Sequence, residues 1–143
     1  MLFSAAKGHK VVSTGTADTV GRVKELVVDP ASRSVVALRL RKTDSGNVLA
    51  WSDLTGFGTE AVTVSDADRI GDGGDLQPLL DKRHRLVGKR VLTAGGDELG
   101  SVADVDFDLD TGSVTTLLLK DGADVAGSRL LGVGSYAVVV RSE

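Results

Sequence analysis

The segment "KVVSTGTADTVGRVKELVVDPASRSVVALRLR", starting at Lys10, aligns without a gap on "KRVLTAGGDELGSVADVDFDLDTGSVTTLLLK", starting at Lys89. Val12, Asp18, Gly21, Val23, Asp29, Ser34, Leu38 and Leu40 fall on Val91, Asp97, Gly100, Val102, Asp108, Ser113, Leu117 and Leu119. After a shorter turn in the second copy, "SDLTGFGTEAVTV" from Ser52 falls on "SRLLGVGSYAVVV" from Ser128. A repeat of this kind requires both copies to build the same unit, which rules out any fold made from one undivided pattern. The chain therefore divides into a first module over residues 1–70, a linker over 71–86 and a second module over 87–143.

Each copy reads as an antiparallel β unit. A short strand around Val12 or Val91 precedes a second strand, Val23 to Asp29 or Val102 to Asp108, and a third, Val35 to Arg41 or Val114 to Lys120. In the third strand Leu38 and Leu40 alternate with Arg39 and Arg41, the two-residue period of a strand with one buried face. The intervening turns, "DPASRS" and "DLDTGS", supply the Pro and Gly that hairpins favour. A last strand covers Ala61 to Val64 or Ala137 to Val140. In the linker, Asp75 is a suitable N-cap, Pro78 is tolerated in a first turn, and Leu76, Leu79, Leu80, Arg83 and Val87 follow helical spacing, which predicts one short helix.

Composition removes several function classes. Cysteine is absent, so disulfides, thiolate catalysis and Cys-based zinc sites are excluded. The net charge of −3 argues against global attraction to nucleic acid or anionic lipid. Aromatic residues make up 3%, leaving little on which to stack bases or sugars and implying an aliphatic core. No apolar run approaches the roughly 20 residues of a membrane-spanning helix, and "MLFSAAKGHK" lacks a secretory leader's pattern, so the expected location is the cytoplasm.

The motifs "TVGRVKELVVDP" with "WSDLTGFGTEAVTV", then "ELGSVADVDFDLDTGSV" with "SRLLGVGSYAVVV", resemble the PRC-barrel domain. That β-barrel module occurs in the photosynthetic reaction centre H subunit, in the C-terminal half of the ribosome-maturation protein RimM, and in small bacterial and archaeal proteins. The resemblance covers nearly the whole chain and implies an all-β protein of two tandem small barrels joined by the linker. It also implies a non-enzymatic adaptor that mediates protein–protein interaction or touches RNA. Its motifs are turn glycines and core aliphatics, which specify a fold more firmly than an activity.

Several motifs carry the letters of known chemistry without its context. "DVDFDLDTG", Asp104 to Gly112, has the look of a calcium loop, but Thr111 stands where that loop needs glycine and the distant glutamate is missing. Strand alternation explains it more simply, with Asp104, Asp106, Asp108 and Asp110 on one solvated face. "GFGTEA" and "GVGSYA" match a dinucleotide fingerprint in letters, yet β-branched "AVTV" and "AVVV" follow where a helix is needed, so no cofactor is expected. His9 and His84 offer no triad spacing, and no catalytic or metal residue is assigned.

Two features remain as partner candidates. "DKRHRLVGKR" concentrates Lys82, Arg83, Arg85, Lys89 and Arg90, a cluster suited to phosphate and hence to RNA or ribosome assembly. Trp51, replaced by Gly127 in the second copy, suits inter-module packing first and an interface anchor second. A protein partner is the leading expectation, RNA the runner-up, and open sheet edges admit a homodimer.

Overall fold

The chain is all-β in the computed structural model, which describes residues 1–143 apart from Ser45 and the side chain of Lys82. Strands β1 (Lys10–Ser13), β2 (Thr19–Asp29), β3 (Ser34–Arg41), β4 (Val48–Ala50), β5 (Leu54–Phe57) and β6 (Ala61–Val64) form a sheet ordered β4-β3-β2-β1-β6-β5. Strands β7 (Arg90–Thr93), β8 (Glu98–Phe107), β9 (Val114–Leu119), β10 (Asp124–Ala126), β11 (Leu130–Val133) and β12 (Ala137–Val140) repeat it as β10-β9-β8-β7-β12-β11. Neighbours are antiparallel except β1 with β6 and β7 with β12, which run parallel. The sheets stay open where closed barrels were expected. Among the described residues no ladder joins β4 to β5 or β10 to β11, since end strands of three and four residues offer few groups with which to complete a cylinder.

Burial follows the alternation. Leu38 and Leu40 are buried while Arg39 and Arg41 are not, and Val105 and Phe107 are buried between less buried aspartates. The Gly-x-Gly segments are hairpin corners between β5 and β6 and between β11 and β12, with Gly58 N–H donating to the Ala61 carbonyl at 2.9 Å and Gly134 N–H to the Ala137 carbonyl at 3.0 Å.

Three further details differ from the sequence reading, the first being that β4, β5, β10 and β11 are strands it did not assign, each only three or four residues long. The gapless alignment slips by one in the first strand, where Val11, not Val12, takes the place of Val91. Val11 and Val91 are fully buried and face Gly21 and Gly100. The first copy absorbs the extra residue in the next turn, where Ala17 adopts a left-handed φ of 61°. The linker helix is present as two 3₁₀ turns, Gly74–Leu79 and Lys82–His84, and its N-cap is Gly73 rather than Asp75. Pro78 lacks the N–H that an α-ladder would need, and the surviving bonds, Leu76 N–H to Gly73 O and Leu80 N–H to Gln77 O, are of the tighter type.

The halves meet through equivalent residues. Ser34 and Ser113, the same position in each copy, form an antiparallel bridge. Val35 N–H donates to the Gly112 carbonyl at 2.8 Å and Val114 N–H to the Arg33 carbonyl at 2.9 Å. This is the geometry of a two-fold contact between like subunits, built within one chain. The segments leading into each copy also cross over. Helix α1 (Phe3–Ala6) follows Leu2, which bridges Asp106 on β8, and Phe107 N–H donates to the Met1 carbonyl at 2.9 Å. The residues leading into β7 lie instead on β2, where the Arg85 guanidinium meets Glu25 at 3.2 Å.

Four of the five aromatic residues gather at this junction. Phe107 from the second half meets Phe57 edge-on at 5.4 Å, Phe3 at 5.6 Å and Trp51 at 6.3 Å, while Trp51 stacks on Phe57 at 5.7 Å. Both sheets contribute to one continuous apolar cluster through these rings. Phe107→Ala is expected to cost about 3–5 kcal/mol, the range for a buried ring. In urea, tryptophan fluorescence and far-ultraviolet circular dichroism should still report one coincident transition. Two separate transitions in the unaltered protein, or a loss under about 1 kcal/mol in the variant, would contradict a shared core.

Candidate interaction surfaces

The aspartate row is less free than a plain solvated face. Asp104 accepts from the Ser4 N–H at 3.2 Å and from the Ser4 hydroxyl, and Asp106 accepts from the Met1 amine at 2.8 Å. Asp108 caps its own hairpin and accepts from the Asp110 and Thr111 N–H groups at 2.7 and 3.2 Å. Asp108 and Asp110 both remain exposed on the turn. Glu25, at the position equivalent to Asp104, likewise receives the opposite crossing segment and also bonds Arg39 at 2.6 Å. Among the described residues no three His, Asp or Glu side chains come together as a cation site requires.

Trp51 sits in a 3₁₀ turn, Trp51–Asp53, directly after β4. Its six-membered ring lies over Gly112 of the other half so closely that a Cβ there would come within 3.1 Å of it. Gly112 also has φ 79°, where a side chain is strained regardless of space. Arg33 occupies the same turn position in the first half, with φ 54°. Its Nε–H donates to the Leu130 carbonyl at 2.6 Å. The corresponding corner of the second half carries Gly127, whose Cβ would fall 2.0 Å from the Val114 carbonyl oxygen. One side of the seam is thus tryptophan on glycine, and the other is an arginine reaching past a glycine. The exposed part of Trp51 lines a cavity of about 490 Å³ with Val36, Ala50 and Leu76. The roles of Arg33, Gly112 and Phe107 escaped the sequence reading; for the first two, the Arg33/Gly112 mismatch at one turn position is the signal that could have marked them.

Among the described residues, the basic side chains of the linker are each engaged by neighbouring groups. Arg83 Nε lies 3.4 Å from Asp81, whose carboxyl is held below its ordinary range chiefly by the Arg83 backbone N–H. Arg85 is tied to Glu25. Lys89 bonds the Arg83 carbonyl, and partial burial lowers its amine from the usual lysine range. Arg90 meets Glu98 at 3.3 Å, donates to the Tyr136 hydroxyl at 3.0 Å, and lies 4.6 Å above that ring's centroid. The Lys82 side chain is outside the described residues. His9 stands 6.0 Å from the Phe57 ring, and buried His9 Nε2 and His84 Nδ1 lack hydrogen-bond partners.

The two halves share one strand order and meet across an interlocked seam of equivalent turns. The model of the PRC-barrel domain matches residues 80–140, and the second half of the chain belongs to that family. PRC-barrel domains are generally non-catalytic. No curated protein is significantly similar to the chain. Among the described residues no helix is long and apolar enough to cross a membrane.

The Trp51–Gly112 contact gives a double-mutant cycle with a defined sign. Gly112→Ala should cost about 2–4 kcal/mol from backbone strain and overpacking. In a Trp51→Ala background the steric part is relieved, so the same change should cost at least about 0.5 kcal/mol less in equilibrium unfolding. Strict additivity would mean the ring does not press on Gly112.

Proposed function

We propose that the chain is a non-enzymatic adaptor that joins protein partners through its β modules, in the bacterial cytoplasm. Residues 1–70 and 87–143 are its two modules, and residues 71–86 connect them. The observation that carries a protein partner over RNA is the condition of the basic cluster. Phosphate binding draws on cations that face outward and release counterions. Arg83, Arg85 and Arg90 reach solvent but are each paired with a carboxylate, Asp81, Glu25 and Glu98, which weakens the field they offer a polyanion, and the net charge of −3 opposes it further. The match of residues 80–140 to a family of generally non-catalytic modules supports the same reading.

The runner-up is a ribosome-assembly role through Lys82, Arg83, Arg85, Lys89 and Arg90. The two readings separate in filter binding with a structured RNA across a salt series, beside cross-linking in the native cell. The adaptor should show weak RNA retention that changes little when Lys82, Arg83 and Arg85 are all replaced by alanine, and should cross-link to a stoichiometric protein. Tight RNA binding that falls steeply with salt and vanishes in the triple variant would transfer the assignment to RNA.

A further inference from the structure

The outer face of the first sheet carries a row of like charges that the second sheet does not repeat. On β1, β2 and β3, Lys10 stands directly across from Arg22, and Arg22 directly across from Arg41. Strand alternation turns all three outward, since their neighbours Val11, Val23 and Leu40 are buried in the core. Lys24, also exposed, flanks the row on β2. Arg22 donates to the Gly8 carbonyl at 3.1 Å, a bond that leaves its charge unneutralised. Among the described residues no carboxylate pairs with any of these four cations. Glu25 is held by Arg39 and Arg85, while Asp44 and Glu60, in the flanking connections, make no ion pair with them.

The second half shows that the fold does not need this row. There Arg90, Ser101 and Lys120 take the places of Lys10, Arg22 and Arg41, and Ala103 takes that of Lys24. Serine interrupts the line of charges, and Glu98 neutralises Arg90 at 3.3 Å. The first half has Thr19 at the position of Glu98, so the corresponding acid is absent. Like charges directly opposite one another on neighbouring strands are destabilising. Three in register without an internal acid therefore cost the first half stability that the second half keeps, and a bound anion offsets that cost.

We infer that the Lys10–Arg22–Arg41 row receives a short acidic segment of a partner protein. Neighbouring strands lie about 4.8 Å apart, so the row spans about 10 Å, and carboxylates two positions apart in an extended segment, separated by about 7 Å, fit within it. Each arginine fork can take a carboxylate through two parallel hydrogen bonds. The extent of the positive charge favours a short segment over a long polyanion. Residues 87–143 hold nine acidic and five basic residues, which repel an RNA or an anionic membrane laid across both halves. Four of the aromatic rings are gathered at the junction and Tyr136 belongs to the second half, which leaves this face without a platform for stacking bases. This rests on the adaptor reading and names one of its surfaces and the chemistry of its partner.

The test titrates the isotope-labelled full chain while backbone amide resonances are followed. The probes are an end-blocked peptide with glutamates alternating between glycines, its glutamine counterpart, an oligouridylate of the same charge, and vesicles containing an anionic lipid. The glutamate peptide should move the amides of Lys10, Arg22, Lys24 and Arg41 and leave those of Arg90, Ser101 and Lys120 in place. The glutamine peptide should move none of them. Arg22→Ser, which gives the first half the residue of the second, should weaken binding about fivefold, the size of one partly exposed ion pair, and Arg22→Lys should retain most of it. If the Arg22 variants fail to fold, the exposed pair Lys10→Gln and Arg41→Gln takes their place, with at least the same loss expected. Equal binding of the glutamate and glutamine peptides, equal movement in both halves, or no movement along the row overturns the inference. Tighter binding of the oligouridylate or the vesicles at the same amides overturns the choice of partner. A protein cross-linked in the native cell whose contact spares these amides overturns the surface while the adaptor reading stands.

Discussion

Burial of Phe3, Trp51, Phe57 and Phe107 against one another is the constraint from which the rest of the architecture follows. A unit of about 60 residues buries only about 60% of its unfolded surface and is marginally stable alone. The aliphatic strands of each sheet cover one face, but the largest side chains of the chain are placed where neither sheet can cover them unaided. Three of the rings come from the first half and Phe107 from the second, so removing these rings from water requires both halves at once. The crossing segments follow from the same demand, since α1 must lie on β8 for Phe3 to reach Phe107.

The repeat made most of this legible in advance. Four of the six strands in each half, the hairpin between β2 and β3 and the alternation in β3 follow from a two-residue period and from turn residues a short distance apart, whereas the three- and four-residue strands β4, β5, β10 and β11 are too short to leave such a period. The first-strand slip was hidden because "KVVS" contains adjacent valines and alignment alone cannot tell which one faces inward; the left-handed Ala17 is what makes room. The linker's helical spacing was genuine, but spacing does not distinguish an α-turn from a 3₁₀ turn when Pro78 deletes one donor. Low aromatic content suggested an aliphatic core, whereas the few rings present are concentrated at one place. Composition carries no information about such clustering. Trp51 was singled out by size and position, yet its partner Gly112 was not, because that contact joins residues from different copies and leaves no periodic trace.

Tandem repetition gives a two-fold seam without the requirement that both sides be identical. In a true dimer a tryptophan at the Trp51 position would appear twice and so would the turn residue facing it. Here each side is free to change. Gly112 accommodates Trp51, while Gly127 packs so closely on Val114 that no side chain fits, and Arg33 spans the seam to the Leu130 carbonyl. The same freedom separates the outer ends, where β4 is sealed by Gly71 and β10 is a sheet edge beside a cavity. The outer ends can therefore differ while the seam between the halves keeps its paired turns.

The acids of β8 show why a sequence pattern fixes the face of a strand more readily than the use of that face. Alternation placed Asp104 and Asp106 opposite Val105 and Phe107, as a solvated edge would have them. What occupies that edge is decided by Met1 and Ser4, separated from these aspartates by 105 and 100 positions in the chain. An anionic row next to an incoming amine and backbone N–H groups serves as a docking strip; the same row without them would serve only solubility. Glu25 repeats the arrangement with Arg85 on the other sheet, so the recurring acid at this position marks where each leading segment crosses to the opposite half. Charge on an outward strand face is therefore best read together with the segment that precedes the repeat, because that segment supplies the donors.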